Sequence, residues 1–392
     1  MSKHEMLMMA ETIQQELVTH RRHLHQNPEI GFDLPNTVAY VEKTLIEMGL
    51  VPKKVGKAGL VVTIGNGNGK TVLLRGDMDA LPMEEHTDLP FKSTNGFAHT
   101  CGHDIHTTFM LGAAKLLKAK ENDIHGMVKI MFQPAEEIGQ GAKDMIEDGL
   151  LENPKVDAAF ALHVSPDLEV GKFGYKPGVA ASSLDGFFLK VQGKGGHSSE
   201  PQKCVDPLMI VNAIYNQMNT VVGKEVDPKE RAVLVIGKMG GGTVANIIPD
   251  TAVIEATLRS FNPDVRNHLF NRIPEIIDAT VKMMRGSYDL QTISTPSLYN
   301  NKDLCTLVAP FVKEIVGEEN LQIDEEPLAG TEDFSYISQR VPTMFMWAGS
   351  NGLENQNYPL HNPNIILDEG VLPLGVAVVV HSAINWLNVS HH

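Results

Sequence analysis

Hydrophobic positions fall into helical stripes and short runs that alternate along the first half of the chain. Residues 6–25 and the stretch "NTVAYVEKTLIEMG" (36–49) carry apolar residues at helical spacing, with Asn36 as the expected N-cap and Gly49 as the stop of the second helix. Short apolar runs follow, each ending in polar residues. "TVLLRGDMDALP" predicts a strand over 71–75 that leads to Asp77 and Asp79, and "MVKIMFQPAEE" one over 127–133 that leads to Glu136 and Glu137. "VDAAFALHV" predicts a strand over 156–162 that ends at His163. Between the first two, "TTFMLGAAKLLKAK" is apolar at 109, 110, 113, 116 and 117 and predicts a helix, as does "GAKDMIEDGL" before the third strand. This β-α-β alternation predicts a mostly parallel sheet flanked by helices. Ligands of such sheets bind beyond the carboxyl ends of the strands, where these acidic residues and His163 are expected.

From about residue 180 the pattern changes. "SLDGFFLKVQG" reads as a strand, "DPLMIVNAIYNQMNTV" as a helix, and "RAVLVIGKM" and "TAVIEATLRS" as strands. "PDVRNHLFNRIPEIIDATVKMM" reads as a helix despite Pro274, and "YDLQTIST" as a strand. The order β-α-β-β-α-β predicts a small α+β, ferredoxin-like domain. The helix "DLCTLVAPFVKEIVG", the strand "PTMFMWAG" and the helix "DEGVLPLGVAVVVHSAINWL" then return to the first pattern. The expected fold class is α/β. A mostly parallel-sheet domain takes residues 1–180 and 294–392, and the α+β domain is inserted at 181–293. A length of 392 residues supports two cores rather than one.

A formal charge of −15 argues against a nucleic-acid partner and an anionic membrane surface. Cys101, Cys204 and Cys305 are few, odd in number and far apart, which argues against a disulfide framework and for a reducing, cytoplasmic setting. The first residues show no apolar signal-peptide core, and no apolar run is expected to span a bilayer. His391 and His392 are given no role.

The stretch "HTCGHDIHTT" (99–108) concentrates three histidines, a cysteine and an aspartate in a chain with only 3 Cys and 16 His. Taken with the strand ends, the candidate metal ligands are Cys101, His103, one of Glu136 and Glu137, His163, and His361 in "NYPLHNP". Cys, His and carboxylate suit zinc and the borderline divalent metals Mn, Co and Ni. No C-x-x-C pair is present, and ligands spread over several strand ends suit an open catalytic site rather than a closed structural one. Adjacent glutamates after a strand point to different sides. One can hold metal while the other acts as general base on a metal-activated water. Cys204 and Cys305 read as small core residues, His99 and His106 as local hydrogen-bond partners, and His23 and His25 as structural. Arg259, at a strand end in the inserted domain, is a candidate for a substrate carboxylate. "GKGGH" lacks the spacing of a phosphate-binding loop.

Nine segments, in order, carry a resemblance: "RRHLHQNPEIGF", "LRGDMDALP", "HTCGHDIHTT", "FQPAEE", "LHV", "GKGGHSS", "ANIIPD", "GTEDFS" and "LHNP". Together the chain resembles the M20 metallopeptidases, and within them the amidohydrolase branch of hippurate hydrolases, N-acyl-amino-acid amidohydrolases and auxin-conjugate hydrolases. The resemblance implies a phosphorylase/hydrolase-like catalytic domain with an inserted lid and dimerisation domain. It implies two divalent ions, Mn, Zn, Co or Ni, held by Cys101, His103, Glu137, His163 and His361, with Glu136 as general base and Asp79 as a carboxylate orienting the ligands. It also implies that His197 stabilises the oxyanion, in the partner subunit's site, that Asn246 contacts substrate, and that the chain forms a homodimer or higher homo-oligomer. Two positions depart from the broader family and agree with this branch: Asp77 stands where many members have histidine, and Cys101 where they have a bridging aspartate. Nothing accounts for Ile105, which replaces a glycine common in its motif.

The expected activity is hydrolysis of N-acetyl or N-benzoyl L-amino acids. The same machinery would serve a dipeptidase or carboxypeptidase, or an N-acetyl-diaminopimelate deacetylase. A non-enzymatic binder is disfavoured by the intact Glu136 and ligand set. A cysteine hydrolase using Cys101 as nucleophile would be insensitive to chelators.

Overall fold

The computed structural model describes residues 3–352 and 358–389. The terminal histidine pair lies outside the described residues. The chain forms two compact units. The first holds Met1–Ala180, Tyr299–Glu326 and Asp333–His392, and the second holds Ala181–Leu298 and Pro327–Glu332.

The first unit opens with α1 (Lys3–Thr12), α2 (Gln14–Gln26) and α3 (Pro35–Glu47). The predicted single helix over 6–25 is therefore two, broken at Ile13. The second prediction needs a correction at its start. Leu34, not Asn36, is the N-cap, and it offers no side-chain cap bond. The cap comes from outside the helix: the Asn36 and Thr37 backbone N–H groups donate to the Glu29 carboxylate at 3.2 and 2.8 Å. Gly49 follows the helix at φ 77, as a stop requires.

The central sheet is mostly parallel. Strands β1 (Lys53–Val55), β2 (Gly59–Gly65), β3 (Thr71–Asp77), β4 (Met127–Gln133), β5 (Ala158–Glu169) and β6 (Phe173–Tyr175) come first in the chain, with Leu321–Ile323 and Thr343–Asn351 later. They lie in the order β1, β2, β4, β3, β5, Thr343–Asn351, β6, Leu321–Ile323. β4, β3, β5 and Thr343–Asn351 run parallel, and β1 and β2 add an antiparallel edge. The buried run of β3, "TVLLRGD", suits a strand covered on both faces. β5 is longer than predicted, so His163 sits inside the strand, opposite Trp347, rather than beyond its end.

Two helices cover the sheet at close range. These are α4 (His103–Ala119) and the C-terminal helix Val371–Val389. Glycine lets them approach: a Cβ on Gly112 would meet Val376 Cγ2 at 2.6 Å, and one on Gly375 would meet Phe109 Cε1 at 2.3 Å. The C-terminal helix corrects the expectation that no run could span a bilayer. It is long and apolar enough, but 83% of its apolar window is buried in the protein, as in a core helix.

The second unit is an antiparallel sheet in the order Ala232–Gly241, Thr251–Ser260, Leu184–Gln192, Ser287–Thr295. The helices Pro207–Glu225 and Pro263–Met283 pack on one face of it around Phe187, Leu189, Ile214 and Ile273. Pro274 lies inside the second helix, as expected.

Candidate metal centre

Three turns bring the acidic and histidine residues of the first unit together. The first follows β3, where Asp79 accepts from the backbone N–H of Glu136 at 3.0 Å and of Glu137 at 3.2 Å, one on each carboxylate oxygen. That single side chain ties the end of β3 to the turn after β4. The second turn passes through Ala135, a non-glycine residue at φ 55, immediately before the two glutamates. His361 sits at φ 64 in the third. Non-glycine residues in this region cost energy and are held only where surrounding structure fixes them.

α4 begins at two of the candidate ligands. Gly102 at φ 87 caps it, Cys101 precedes it and His103 is its first residue. From far upstream in the chain, α2 clamps this start. Arg21 Nε donates to Asp104 at 2.9 Å, and His25 bridges Asp104 at 2.8 Å and Glu85 at 3.2 Å. His25 is thus structural, and His23 stacks on Tyr40, as expected. A Cβ on Gly102 would meet Val164 Cγ2 at 2.4 Å and Leu367 Cδ1 at 2.9 Å. Gly102→Ala is therefore expected to destabilise the protein by about 2–4 kcal/mol, from the left-handed backbone and from overpacking. A thermal melt checks this, and an unchanged midpoint would show that the turn tolerates a side chain.

Tautomers follow from the hydrogen bonds. His163 Nδ1 donates to the Val164 carbonyl at 2.7 Å, which leaves Nε2 to face Cys101 Sγ at 3.6 Å. His103 Nδ1 donates to the Asp79 carbonyl at 2.7 Å, so its Nε2 faces Asp77 at 3.6 Å and Glu137 at 3.8 Å. His361 Nε2 lies 3.3 Å from Cys101 Sγ and 3.5 Å from Glu137 Oε1. His106 is different. Its Nε2 accepts from the Val164 N–H at 2.9 Å, so Nδ1 carries the proton and donates to Asp77 at 2.6 Å. Both His106 nitrogens are engaged in hydrogen bonds, as expected, but with partners 29 and 58 residues away rather than local ones. His99 is buried with neither nitrogen hydrogen-bonded, contrary to that expectation, and burial drops its pKa to about 3.

Ligand atoms within 4.8 Å of one another form overlapping groups: Cys101, His103 and His163; Cys101, Glu137 and His361; and His103, Glu136 and Glu137. Cys101 belongs to two of them. Two observations fit a cation here. His103 Nε2 and Glu137 Oε1 are buried and have no hydrogen-bond partner, which is costly unless something else satisfies them. Burial also opposes a charge on His103, yet Asp77 and Cys101 outweigh it and raise its pKa well above the ordinary value. The cluster thus favours positive charge at that position, which a metal would supply in place of the proton. Burial pushes the Cys101 thiol well up, raises Glu137, and with His106 holds His163 well down and neutral.

Arg75 pairs with the Asp77 oxygen that faces His103, at 2.7 Å. Arg75 reaches on to Gln133 at 2.8 Å and to Asp333 at 3.3 Å. Although burial disfavours its charge, Arg75 first, then His103 and His106, keep Asp77 ionised well below the usual range. Sequence reasoning missed Arg75, His106 and Asp333 as a supporting network. The one available signal was their presence in the matched segments.

The remaining candidates lie in the second unit. His197 is exposed on Gly196–His197, pairs with Ile247, and accepts from Ser199 N–H at 3.2 Å on the nitrogen that lies 2.7 Å from Ser199 Oγ. Asn246 adjoins it, its carbonyl accepting from Ser198 N–H at 3.1 Å. Arg259 instead holds the segment 327–332, donating to the Ala329 carbonyl at 3.1 Å and Thr331 Oγ1 at 3.0 Å.

Residues 73–385 match the sequence model of peptidase family M20/M25/M40. The chain is 36% identical over 362 residues to an N-acetyl-L-cysteine deacetylase of Bacillus subtilis, covering 91% of this chain and 85% of that protein. It is 36% identical over 375 residues to the IAA-amino acid hydrolase ILR1-like 4 of Arabidopsis thaliana, covering 94% of this chain and 84% of that one. Among solved structures it resembles a dinuclear metal-binding M20 peptidase of Bacillus subtilis, with a TM-score of 0.80, 30% identity and coverage of 96% and 99%.

Proposed function

Since this chain belongs to peptidase family M20/M25/M40 and is a metal-dependent hydrolase of amide or peptide bonds, we propose that its substrates are N-acyl L-amino acids, N-acetyl or N-benzoyl among them, cleaved to a carboxylate and a free amino acid. The observation that carries the reading is the pair Glu136–Glu137. One member faces the cysteine and histidine groups, and both N–H groups are fixed by Asp79. The similarity to a deacetylase and to an amino-acid-conjugate hydrolase points to an acylated amino acid.

In this reading Cys101, His103, Glu137, His163 and His361 hold two divalent ions, of Mn, Zn, Co or Ni. Bound there, the ions would lower the pKa of the attacking water and polarise the scissile carbonyl. Glu136 accepts the water's proton and returns it to the leaving amine. Asp79 fixes the backbone of both glutamates, so base and ligand move together. His197 and Asn246 serve the substrate's oxyanion and carboxylate. Arg259 is a weaker candidate, because its guanidinium already holds the 327–332 segment. The reading keeps a cytoplasmic setting and a homodimer or higher homo-oligomer.

The test is hydrolysis by metal-free protein reloaded with Mn, Zn, Co or Ni, against N-acetyl and N-benzoyl amino acids and dipeptides. At least one metal is expected to restore turnover of the N-acyl substrates. Turnover of dipeptides alone would replace this reading with a peptidase, and turnover that survives chelation would remove the metal.

A further inference from the structure

A cavity of about 930 Å³ in the first unit reaches the candidate metal centre at Glu137. Its apolar lining comes from Ile30, Phe32, Leu81, Pro82, Phe97 and Ile138. We propose that this cavity is the pocket for the acyl group of the substrate, and that it selects an uncharged apolar acyl group larger than acetyl. The inference rests on the N-acyl amino acid reading.

The walls grow from the segments that build the centre. Ile138 directly follows Glu136 and Glu137. Leu81 and Pro82 follow Asp79, the residue that fixes both glutamates, with only Ala80 between. The loop 27–36 is tied to that segment, with the Ala80 N–H donating to the Glu29 carbonyl at 2.8 Å. Leu81 and Ala98 exchange backbone bonds at 3.1 and 3.0 Å, and Asn95 donates to the Pro28 carbonyl at 2.8 Å. The pocket is therefore held by backbone bonds rather than by side chains alone, which gives it a fixed shape.

Charge decides which half of the substrate enters. No lysine, arginine or histidine lines the cavity among the described residues, whereas Glu29 and Asp33 do, apart from Glu137 at the metal centre. Lys57 sits over the Phe32 ring at 4.5 Å, but its ammonium is shared with Asp144 at 3.6 Å. Such a pocket disfavours the carboxylate of the amino acid. Glu29 does not call for a free amino group either, because its carboxylate accepts from Asn36 and Thr37 at the start of α3. What remains is an uncharged acyl group. Acetyl fills a small part of this volume, and pockets of this size take whole small molecules. Ile138, 54% exposed and beside Glu137, is the wall residue whose change least disturbs the core.

The test compares kcat/KM of the metal-loaded protein for N-acetyl-, N-butanoyl-, N-hexanoyl- and N-phenylacetyl-alanine, in wild type and Ile138→Asp. Each methylene that reaches the wall is expected to raise kcat/KM about fourfold. Phenylacetyl is expected to exceed acetyl by tenfold or more, and Ile138→Asp to cut that ratio at least fivefold. In parallel, ligand-observed NMR reads binding of phenylacetamide to the metal-free protein, with and without the substitution, and circular dichroism checks the fold. Turnover with no acyl preference, or a ratio unmoved by Ile138→Asp, overturns the pocket and leaves the N-acyl reading standing. Loss of turnover on every substrate, with phenylacetamide still bound and released by Ile138→Asp, supports the pocket and overturns the N-acyl reading. Neither turnover nor binding overturns both.

Discussion

Glu136→Gln is expected to lower kcat on an N-acyl amino acid by about 10³-fold while leaving the bound metal in place. The prediction turns on the division of labour between two adjacent carboxylates. Glu137 Oε1 is buried, lacks a hydrogen-bond partner, and lies 3.8 and 3.5 Å from His103 Nε2 and His361 Nε2. That is the position of a ligand. Glu136 also brings a carboxylate oxygen within 4.8 Å of His103 and Glu137, but its Oε1 accepts from the Asp333 N–H at 3.4 Å. Glutamine keeps its size and that acceptor but cannot take a proton from water. Metal analysis separates the roles: Glu137→Gln is expected to lose metal and activity together, and Glu136→Gln activity alone. A Glu136→Gln enzyme with normal metal content and a kcat within tenfold of wild type would falsify the assignment of the base.

Much of this site was legible because its residues sit at predictable places. Alternation of strands and helices put "RGDMD" and "QPAEE" at the ends of neighbouring parallel strands, and β3 and β4 do pair in parallel with Asp77 opposite Gln133. Candidate ligands near strand ends then converge as the topology dictates. Three features were not legible, each for a physical reason. The length of β5 depends on pairing with Thr343–Asn351, far along the chain, so His163 could not be placed inside a strand from its own neighbours. The cap of α3 comes from Glu29 across a turn, which overrode the local signal of Asn36. The Arg75 network joins residues 258 positions apart, and no periodicity encodes that. Arg75 itself, in a buried apolar strand, is a mismatch with its own run. A charged residue there is a cue that partners lie elsewhere in the sequence.

Arg75→Met is expected to cost about 3–5 kcal/mol of stability at neutral pH, with a fall in metal content. Arg75 is 2% exposed and Asp77 and Asp333 are buried, so methionine fills the space but leaves two carboxylates without their cation. The loss spreads, because Asp77 also holds His106, and His106 accepts from the Val164 N–H beside His163. Asp333 keeps partners in Gln133 at 2.6 Å and the Ala142 N–H at 3.0 Å, so the greater damage falls on Asp77. The pH dependence gives the sign. Asp77 is held well below its ordinary value in the folded protein, with Arg75 the largest of the lowering influences. Its contribution to stability is therefore present above the unfolded aspartate pKa of about 4 and is lost as pH falls toward the folded value. Without Arg75 the folded pKa rises and that contribution shrinks to what His103 and His106 supply. The gap between wild type and variant is expected to be widest at neutral pH and to narrow below about pH 4, where the unfolded aspartate is already protonated. Denaturant melts at pH 7 and pH 3.5 read this directly. A gap equal at both would mean that Arg75 acts by packing alone, and that the ionised Asp77 owes its state to the histidines.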